Sequence, residues 1–147
     1  DPPTARRIDP PAGLSLVVAV ADERVATKDA RAALSAEVPR GDAVWNIQHV
    51  ALLVHALRSG SLEDLSIALT DRLHQDARAG LMPSFAELRT RAAELGALGV
   101  TLSGAGPSVL VWCREHDADQ VAGAVRALVP SAAVHALRPE AAGLVVG

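Results

Sequence analysis

One segment of this sequence combines small residues, hydroxyls and a proline in a way that could bind an anion. It is the loop Ser103-Gly104-Ala105-Gly106-Pro107-Ser108, which lies between two apolar segments. Glycines let a backbone approach a ligand closely, and exposed N–H groups beside the two serine hydroxyls can form an anion-binding concavity. A glycine-rich turn without a ligand explains the same spacing. A Walker A phosphate loop is not predicted, because its Gly-Lys-Ser/Thr ending is missing.

A second candidate pairs a hydroxyl with a guanidinium group. Thr27 and Arg31 are four residues apart, so they share one face of a predicted helix that follows a strand-like apolar segment. The planar guanidinium of Arg31 could bind a carboxylate through two parallel N–H groups. The alternative interpretation is that Thr27 caps the helix and Arg31 is simply solvated. The spacing alone leaves both interpretations open.

A third candidate is the charged segment from Asp71 to Arg78. If this segment is helical, Asp71, His74 and Arg78 lie on one side of it. A solvated charged helix surface is the default explanation of such a face. No metal site is predicted, because His74 has only Asp71 and Arg78 at helical spacing and an arginine cannot bind a metal.

Composition excludes several kinds of partner. The chain has 147 residues, 50% hydrophobic and 21% charged, which is enough for one domain with a substantial core. The net charge of -3 and the absence of like-charge blocks argue against a nucleic-acid partner. The longest uncharged stretch, residues 95–113, contains four glycines and Pro107, so no membrane-spanning helix is predicted. The single Cys113 lies in an apolar segment, which predicts a core position and fits a reducing, cytoplasmic setting.

The elements that must position these residues mix strands and helices. Residues 1–13 are rich in proline and predict an extended linker, so the folded domain is expected over residues 14–147. The segment 14–21 is almost purely apolar, which predicts a strand covered on both faces. Strands are predicted at residues 14–21, 100–102, 109–112, 132–137 and 144–146, and helices at residues 27–34, 42–60, 61–69, 84–96 and 117–128. The order predicts an α+β fold, with helices packed on one face of a mainly antiparallel sheet.

Two of the predicted helices raise specific questions. In the helix between Asp42, expected to cap it, and Gly60, apolar residues recur at three- and four-residue steps. They include Val44, Ile47, Val50, Ala51, Val54 and Leu57. After the helix that Ser61 begins, residues 70–83 could either continue as a helix or break into a loop.

Taken together, three stretches of the chain resemble the C-terminal half of the homoserine kinase family, a branch of the GHMP small-molecule kinases. They are Val25–Arg31, Asp71–Arg78 and Gly99–Ser108. The third resembles a motif common to the GHMP superfamily, whereas the second, with its Asp-Arg-Leu-His-Gln-x-x-Arg pattern, points more narrowly to homoserine kinases. The resemblance runs from about residue 14 to about residue 137. It implies a ferredoxin-like α+β C-terminal lobe, in agreement with the element order.

The resemblance also implies an activity and a set of roles. The family transfers the γ-phosphate of Mg-ATP to the side-chain hydroxyl of L-homoserine, in threonine biosynthesis. By motif, Thr27, Arg31 and Arg78 would line the amino-acid site. The loop from Ser103 through Gly104, Ala105 and Gly106 to Ser108 would lie near the phosphates, and Asp71 and His74 would support Arg78. No residue of this chain is assigned a catalytic role.

The family's N-terminal phosphate loop, Pro-x-x-x-Gly-Leu-Gly-Ser-Ser, does not occur in these residues. The resemblance implies that ATP and Mg²⁺ are bound mainly by that lobe, so this chain is expected to be inactive alone. The surface that meets the other lobe should be apolar and exposed here, and it could form a homodimer. Two alternatives stay open: another GHMP kinase with a different alcohol acceptor, and a non-catalytic domain that binds an amino acid or mediates dimerisation.

Overall fold

The computed structural model describes residue 4 and residues 6–22 and 25–142. Its four strands form one sheet in the order β2-β3-β1-β4, and every neighbouring pair is antiparallel. The strands are β1 Leu14–Val20, β2 Gly99–Leu102, β3 Val109–Arg114 and β4 Ala133–Leu137. The order is that of a ferredoxin-like sheet, in which an antiparallel strand separates the two strands of each β-α-β unit. The predicted α+β fold is confirmed.

Six helices connect and cover these strands. They are α1 Thr27–Ala32, α2 Arg40–Ser59, α3 Leu65–Ala68, α4 Gln75–Ala79, α5 Pro83–Thr90 and α6 Ala118–Leu128, with short 3₁₀ turns at Leu62–Asp64 and Glu115–Asp117. No helix within residues 6–22 and 25–142 is both long and apolar enough to cross a membrane. The predicted strand at 144–146 lies outside the described residues.

One face of the sheet carries the main core. Because successive strand residues point to opposite faces, alternate residues of the two central strands meet the helices α5 and α6. The fully buried members include Val17, Val109, Val111, Phe85, Leu88, Val121 and Val125. Cys113 belongs to this core, as predicted. Burial, with a smaller effect of the negative charge of Asp117, raises the pKa of its thiol to about 11, so the thiol stays protonated at neutral pH.

The opposite face of the sheet is covered only in part. A smaller cluster joins Leu14 of β1 to Ala56 of α2 and to Leu62 and Leu65 just after it. At the other end of β1, Val20 is 43% exposed. The prediction that β1 is covered on both faces is therefore wrong at its C-terminal end, because the helices that follow α2 reach only one end of this face.

Helix α2 turns an apolar face outward. The residues Val44, Ile47, Val50 and Val54, here called the α2 stripe, are 41–70% exposed. The fully packed positions of α2 are His49 and Ala56 instead. The periodicity thus predicted the helix correctly, and it also matches the expectation of an exposed apolar surface. Spacing alone does not reveal which side of a helix packs against the rest of this chain.

Several predicted boundaries shift. Helix α1 has Ala26 at its N-cap and α2 has Pro39, so neither Thr27 nor Asp42 caps a helix through its side chain. Residues 70–74 form a loop before α4, which settles the open question there in favour of a break. Helix α5 ends at Thr90, earlier than predicted, and turns lead from there to Gly96 with φ +72°.

Candidate functional site

The predicted pair Thr27 and Arg31 lies on helix α1, at the surface. Thr27 and Arg31 lie one turn apart and are both exposed, while Ala30 between them is buried against the core. Thr27 occupies the first helical position and forms no cap bond, so the interpretation that it serves only as a cap is wrong. A hydroxyl and a guanidinium therefore share one accessible face of α1.

Arg78 joins this helix to the glycine-containing loop. It lies on α4 and is only 9% exposed. Its Nε–H donates to the carbonyl oxygen of Ala30 at 3.1 Å, and its Nη1–H donates to that of Gly104 at 3.3 Å. The structure thus brings Arg78 next to α1 and to the loop, three parts of the chain that are far apart in sequence.

The charge on Arg78 has only neutral partners among the described residues. No carboxylate in residues 6–22 and 25–142 forms an ion pair with its guanidinium. A buried positive charge is costly unless it is paired, and carbonyl oxygens offset only part of that cost. An anion that docks beside α1 and the loop would gain from this charge.

The loop between β2 and β3 is a tight turn in which two N–H groups have no backbone partner among the described residues. Ser103 N–H donates to the carbonyl of Ser108 at 2.8 Å, and Gly106 N–H donates to that of Ser103 at 3.1 Å. Gly104 and Gly106 have φ of +61° and +85°, a region that favours glycine. In the part of the chain that the structure describes, the N–H groups of Gly104 and Ala105 donate to no backbone carbonyl. The predicted loop is present, and these two N–H groups could face an anion.

We expect the two glycines of this loop to respond differently to alanine. A Cβ at Gly106 would collide with the Sδ of Met82, so the Met82 side chain would have to shift within the core in which it is fully buried, whereas a Cβ at Gly104 would meet open space. Both positions carry the strain of a positive φ, but only Gly106→Ala adds overpacking, at about 1–3 kcal/mol. Urea unfolding should show that Gly106→Ala lowers the free energy of unfolding by about 1–3 kcal/mol more than Gly104→Ala does. Equal losses would contradict the packing of Gly106 on Met82.

Asp71 anchors the start of α4. Its Oδ1 accepts the N–H groups of Leu73 at 3.1 Å and of His74 and Gln75 at 2.7 Å each, and its Oδ2 accepts Asn46 Nδ2–H at 2.6 Å. Burial alone would raise the pKa of this carboxyl. The hydrogen bonds and the charge of His74 outweigh that effect, so the pKa lies below its ordinary value of 3.8.

The third predicted group is arranged differently from the expectation. Asp71 lies in the loop before α4 and His74 at its N-cap, so a helical face shared with Arg78 does not exist. His74 Nε2 lies 3.6 Å from Asp71 Oδ2. The two residues act on the short helix that carries Arg78, and no hydrogen bond or ion pair links either of them directly to the guanidinium in the described structure.

Sequence reasoning missed two polar side chains of this region. Gln75 is 4% exposed and bonds to the end of β2, and Asn46 connects α2 to Asp71. Gln75 belongs to the Asp-Arg-Leu-His-Gln stretch, and this was the only feature of the sequence that could have pointed to its role. No feature of the sequence pointed to Asn46, because it is separated by 25 residues from its partner Asp71.

The described residues do not assemble a metal site. Within 6–22 and 25–142, no group of three or more His, Cys, Asp or Glu side chains converges. The donor set that Mg²⁺ prefers, several carboxylate or carbonyl oxygens around one point, is not formed by side chains here. The Mg²⁺ that the resemblance implies does not fit this part of the protein alone, and no chemical step is assigned to it.

The fold and this site define a class of protein. Residues 53–131 match the family described as GHMP kinases C terminal, and the chain belongs to that family. Over 122 residues it is 48% identical to the homoserine kinase of Gloeobacter violaceus, a match that covers 83% of this chain and 41% of that protein. The chain therefore spans about two fifths of that curated relative's length. The predicted resemblance to the C-terminal part of homoserine kinases is confirmed.

Solved structures agree with the fold. The crystal structure of homoserine kinase from Cytophaga hutchinsonii matches with a TM-score of 0.84 at 25% identity, over 90% of this chain and 44% of that one. The phosphomevalonate kinase of Streptococcus pneumoniae matches with a TM-score of 0.71 at 15% identity, over 91% of this chain and 42% of that one. The second likeness concerns the fold alone.

Proposed function

We propose that this chain is the substrate-side lobe of a kinase that transfers the γ-phosphate of ATP to the side-chain hydroxyl of L-homoserine. The observation that carries the proposal is the position of Arg78, which ties the exposed Thr27 and Arg31 helix to the glycine-containing loop. The proposed amino-acid site and the proposed anion-binding loop would thereby lie side by side. The similarity to homoserine kinases supports the choice of acceptor.

The proposed roles follow from the chemistry of each group. Homoserine presents a carboxylate, which Arg31 and Arg78 would bind, and Thr27 would add a hydroxyl contact. Fixing this end of the substrate orients its terminal hydroxyl toward the γ-phosphate. The N–H groups of Gly104 and Ala105 would offset negative charge on the phosphates during transfer. Asp71 and His74 would support Arg78 by fixing the start of α4.

The rest of the proposed enzyme would supply what these residues lack. Phosphoryl transfer depends on positioning and charge neutralisation from several sides. ATP and Mg²⁺ would be bound mainly by the part of the relatives that this chain does not span, so the 147-residue chain is expected to show no turnover by itself. The enzyme is proposed to work in the cytoplasm.

The test is ADP release from Mg-ATP by the protein expressed with its upstream coding region. Homoserine, mevalonate and no acceptor are compared, with the 147-residue chain run in parallel. Homoserine-dependent turnover by the long form alone supports the proposal. A folded long form that responds to mevalonate instead indicates another GHMP kinase. A long form that binds homoserine without releasing ADP indicates a non-catalytic amino-acid-binding domain.

We also propose that the 147-residue chain forms a homodimer through the α2 stripe. Four exposed branched side chains on one helix face are a large apolar patch, and the same face on two copies can pack on itself. Ile47, at 70% exposure, is its most exposed member. Light scattering should give a mass that rises toward a dimer with concentration, and Ile47→Glu should remain a monomer. A constant monomer mass for the unmodified chain would refute the proposal.

A further inference from the structure

We propose that Gln75 is a positioning residue that sets the conformation of the glycine-containing loop. This inference rests on the proposed function, because the loop is taken to face the phosphates. Among the described residues, Gln75 forms no hydrogen bond with the exposed face of α1 or with the loop's outer N–H groups. Its effect on the reaction would pass through the backbone of the residue that precedes the loop.

Both ends of the Gln75 amide are used. Its Oε1 accepts the N–H of Leu102 at 3.1 Å, and its Nε2–H donates to the carbonyl of Leu69 at 3.3 Å. Gln75 is only 4% exposed, so water has little access to these bonds. An amide satisfies both partners because it carries an acceptor and a donor on one planar end.

The bond to Leu102 falls where the sheet itself provides no partner. Ser103 N–H points toward β3, since it donates to Ser108. Backbone N–H groups alternate in direction along a strand, so the N–H of Leu102 points to the outer side of β2. No other strand of the described residues lies on that side. Without Gln75, a buried N–H directly before the loop would have no partner, and this end of β2 would be free to shift.

A second bond from the same helix holds the loop from its far side. Gln75 and Arg78 are three residues apart on α4, so they project in similar directions. Gln75 holds Leu102, and Arg78 holds the carbonyl of Gly104. Side chains of α4 therefore form hydrogen bonds with the backbone on both sides of Ser103. This arrangement fixes where the N–H groups of the loop point, and phosphoryl transfer is sensitive to that position.

The first measurement is independent of catalysis. Amide hydrogen exchange in the 147-residue chain is compared between the unmodified protein, Gln75→Leu and the control Gln48→Leu, which changes an exposed glutamine of α2. In Gln75→Leu, exchange at Leu102 and at the two hydrogen-bonded loop amides, Ser103 and Gly106, should accelerate about 10-fold or more, while amides of β1 and α6 stay protected. Unchanged exchange in the loop would overturn the proposal, whatever reaction the protein performs.

The second measurement uses the long form with homoserine and Mg-ATP. Gln75→Leu should lower kcat about 10- to 100-fold, with the KM for homoserine within about 3-fold, because a misplaced loop weakens charge stabilisation and not acceptor binding. Burial favours the neutral carboxyl of Gln75→Glu, which keeps an acceptor for Leu102 and a donor for Leu69, so this variant should recover part of kcat and also covers the case in which Gln75→Leu fails to fold. An unchanged kcat in a variant with a loosened loop, or a loss confined to KM, would overturn the positioning role. If the unmodified long form does not phosphorylate homoserine, the proposed function fails, and the exchange result still decides whether Gln75 holds the loop.

Discussion

Replacing Arg31 with alanine in the long form is expected to raise the KM for homoserine about 10- to 100-fold, while the KM for ATP changes by less than about 2-fold. The estimate follows from the worth of a hydrogen bond to a charged group, about 1.5–3 kcal/mol, with 1.4 kcal/mol per factor of ten. Arg31 is exposed on α1 beside Thr27, so its loss would remove the proposed substrate contact and no packing. Steady-state kinetics with each substrate varied in turn measures both constants.

Two further variants make this test selective. Arg31→Lys keeps the charge but not the planar fork, so its KM should fall between those of the wild type and the alanine variant. Arg58→Ala removes an exposed arginine at the end of α2 and should change neither constant. Equal increases in the KM for homoserine and for ATP would contradict the proposed role of Arg31.

The same experiment at Arg78 is less selective, because Arg78 also makes contacts within the fold. Its guanidinium donates to the carbonyl oxygens of Ala30 and Gly104, so Arg78→Ala would disturb α1 and the loop as well as the proposed amino-acid site. We expect a raised KM for homoserine together with a lower kcat. A change in KM alone would show that the two carbonyl contacts are unimportant for the reaction.

The sequence predicted the helices and strands of this fold better than it predicted which of their faces are buried. The strands and most helices follow from local periodicity, which records only whether one side of an element is apolar. That pattern identified α2 but not which side of it packs. Among the described residues the α2 stripe is left uncovered, whereas His49 and Ala56 are buried. The partial exposure of β1 escaped prediction for the same reason.

The residues of the candidate site could be proposed one by one from the sequence, but their arrangement could not. Thr27, Arg31, Arg78 and the loop were each recognisable from residue type and motif. Their connections depend on contacts between distant parts of the chain, such as the 48-residue separation between Arg78 and Ala30. The expected shared face of Asp71 and Arg78 was wrong because Asp71 bonds the backbone of the following turn, which prevents it from being inside a helix.

Asp71→Ala is expected to destabilise the chain by about 3–4 kcal/mol. Loss of a carboxylate that accepts the first N–H groups of α4, as an N-cap side chain would, costs about 1–2 kcal/mol, and the charge-assisted bond from Asn46 adds about 1.5–3 kcal/mol. For a domain of this size the midpoint of thermal unfolding should fall by about 10 °C. The matched control is Asp76→Ala on the same helix. Asp76 is largely exposed and pairs with Arg89 at the surface, so its loss should cost less than about 1 kcal/mol.

The difference between the wild type and Asp71→Ala should also depend on pH. The pKa of Asp71 in the folded chain lies below its ordinary value of 3.8, so its ionised form is the one that stabilises the fold. Its contribution is complete above about pH 5 and is lost as the pH falls through 3.8 toward the lowered folded value. Other carboxylates titrate in both proteins, so the gap between their unfolding midpoints isolates Asp71. A gap that stays constant or widens between pH 7 and pH 3 would show that Asp71 stabilises the start of α4 without its charge.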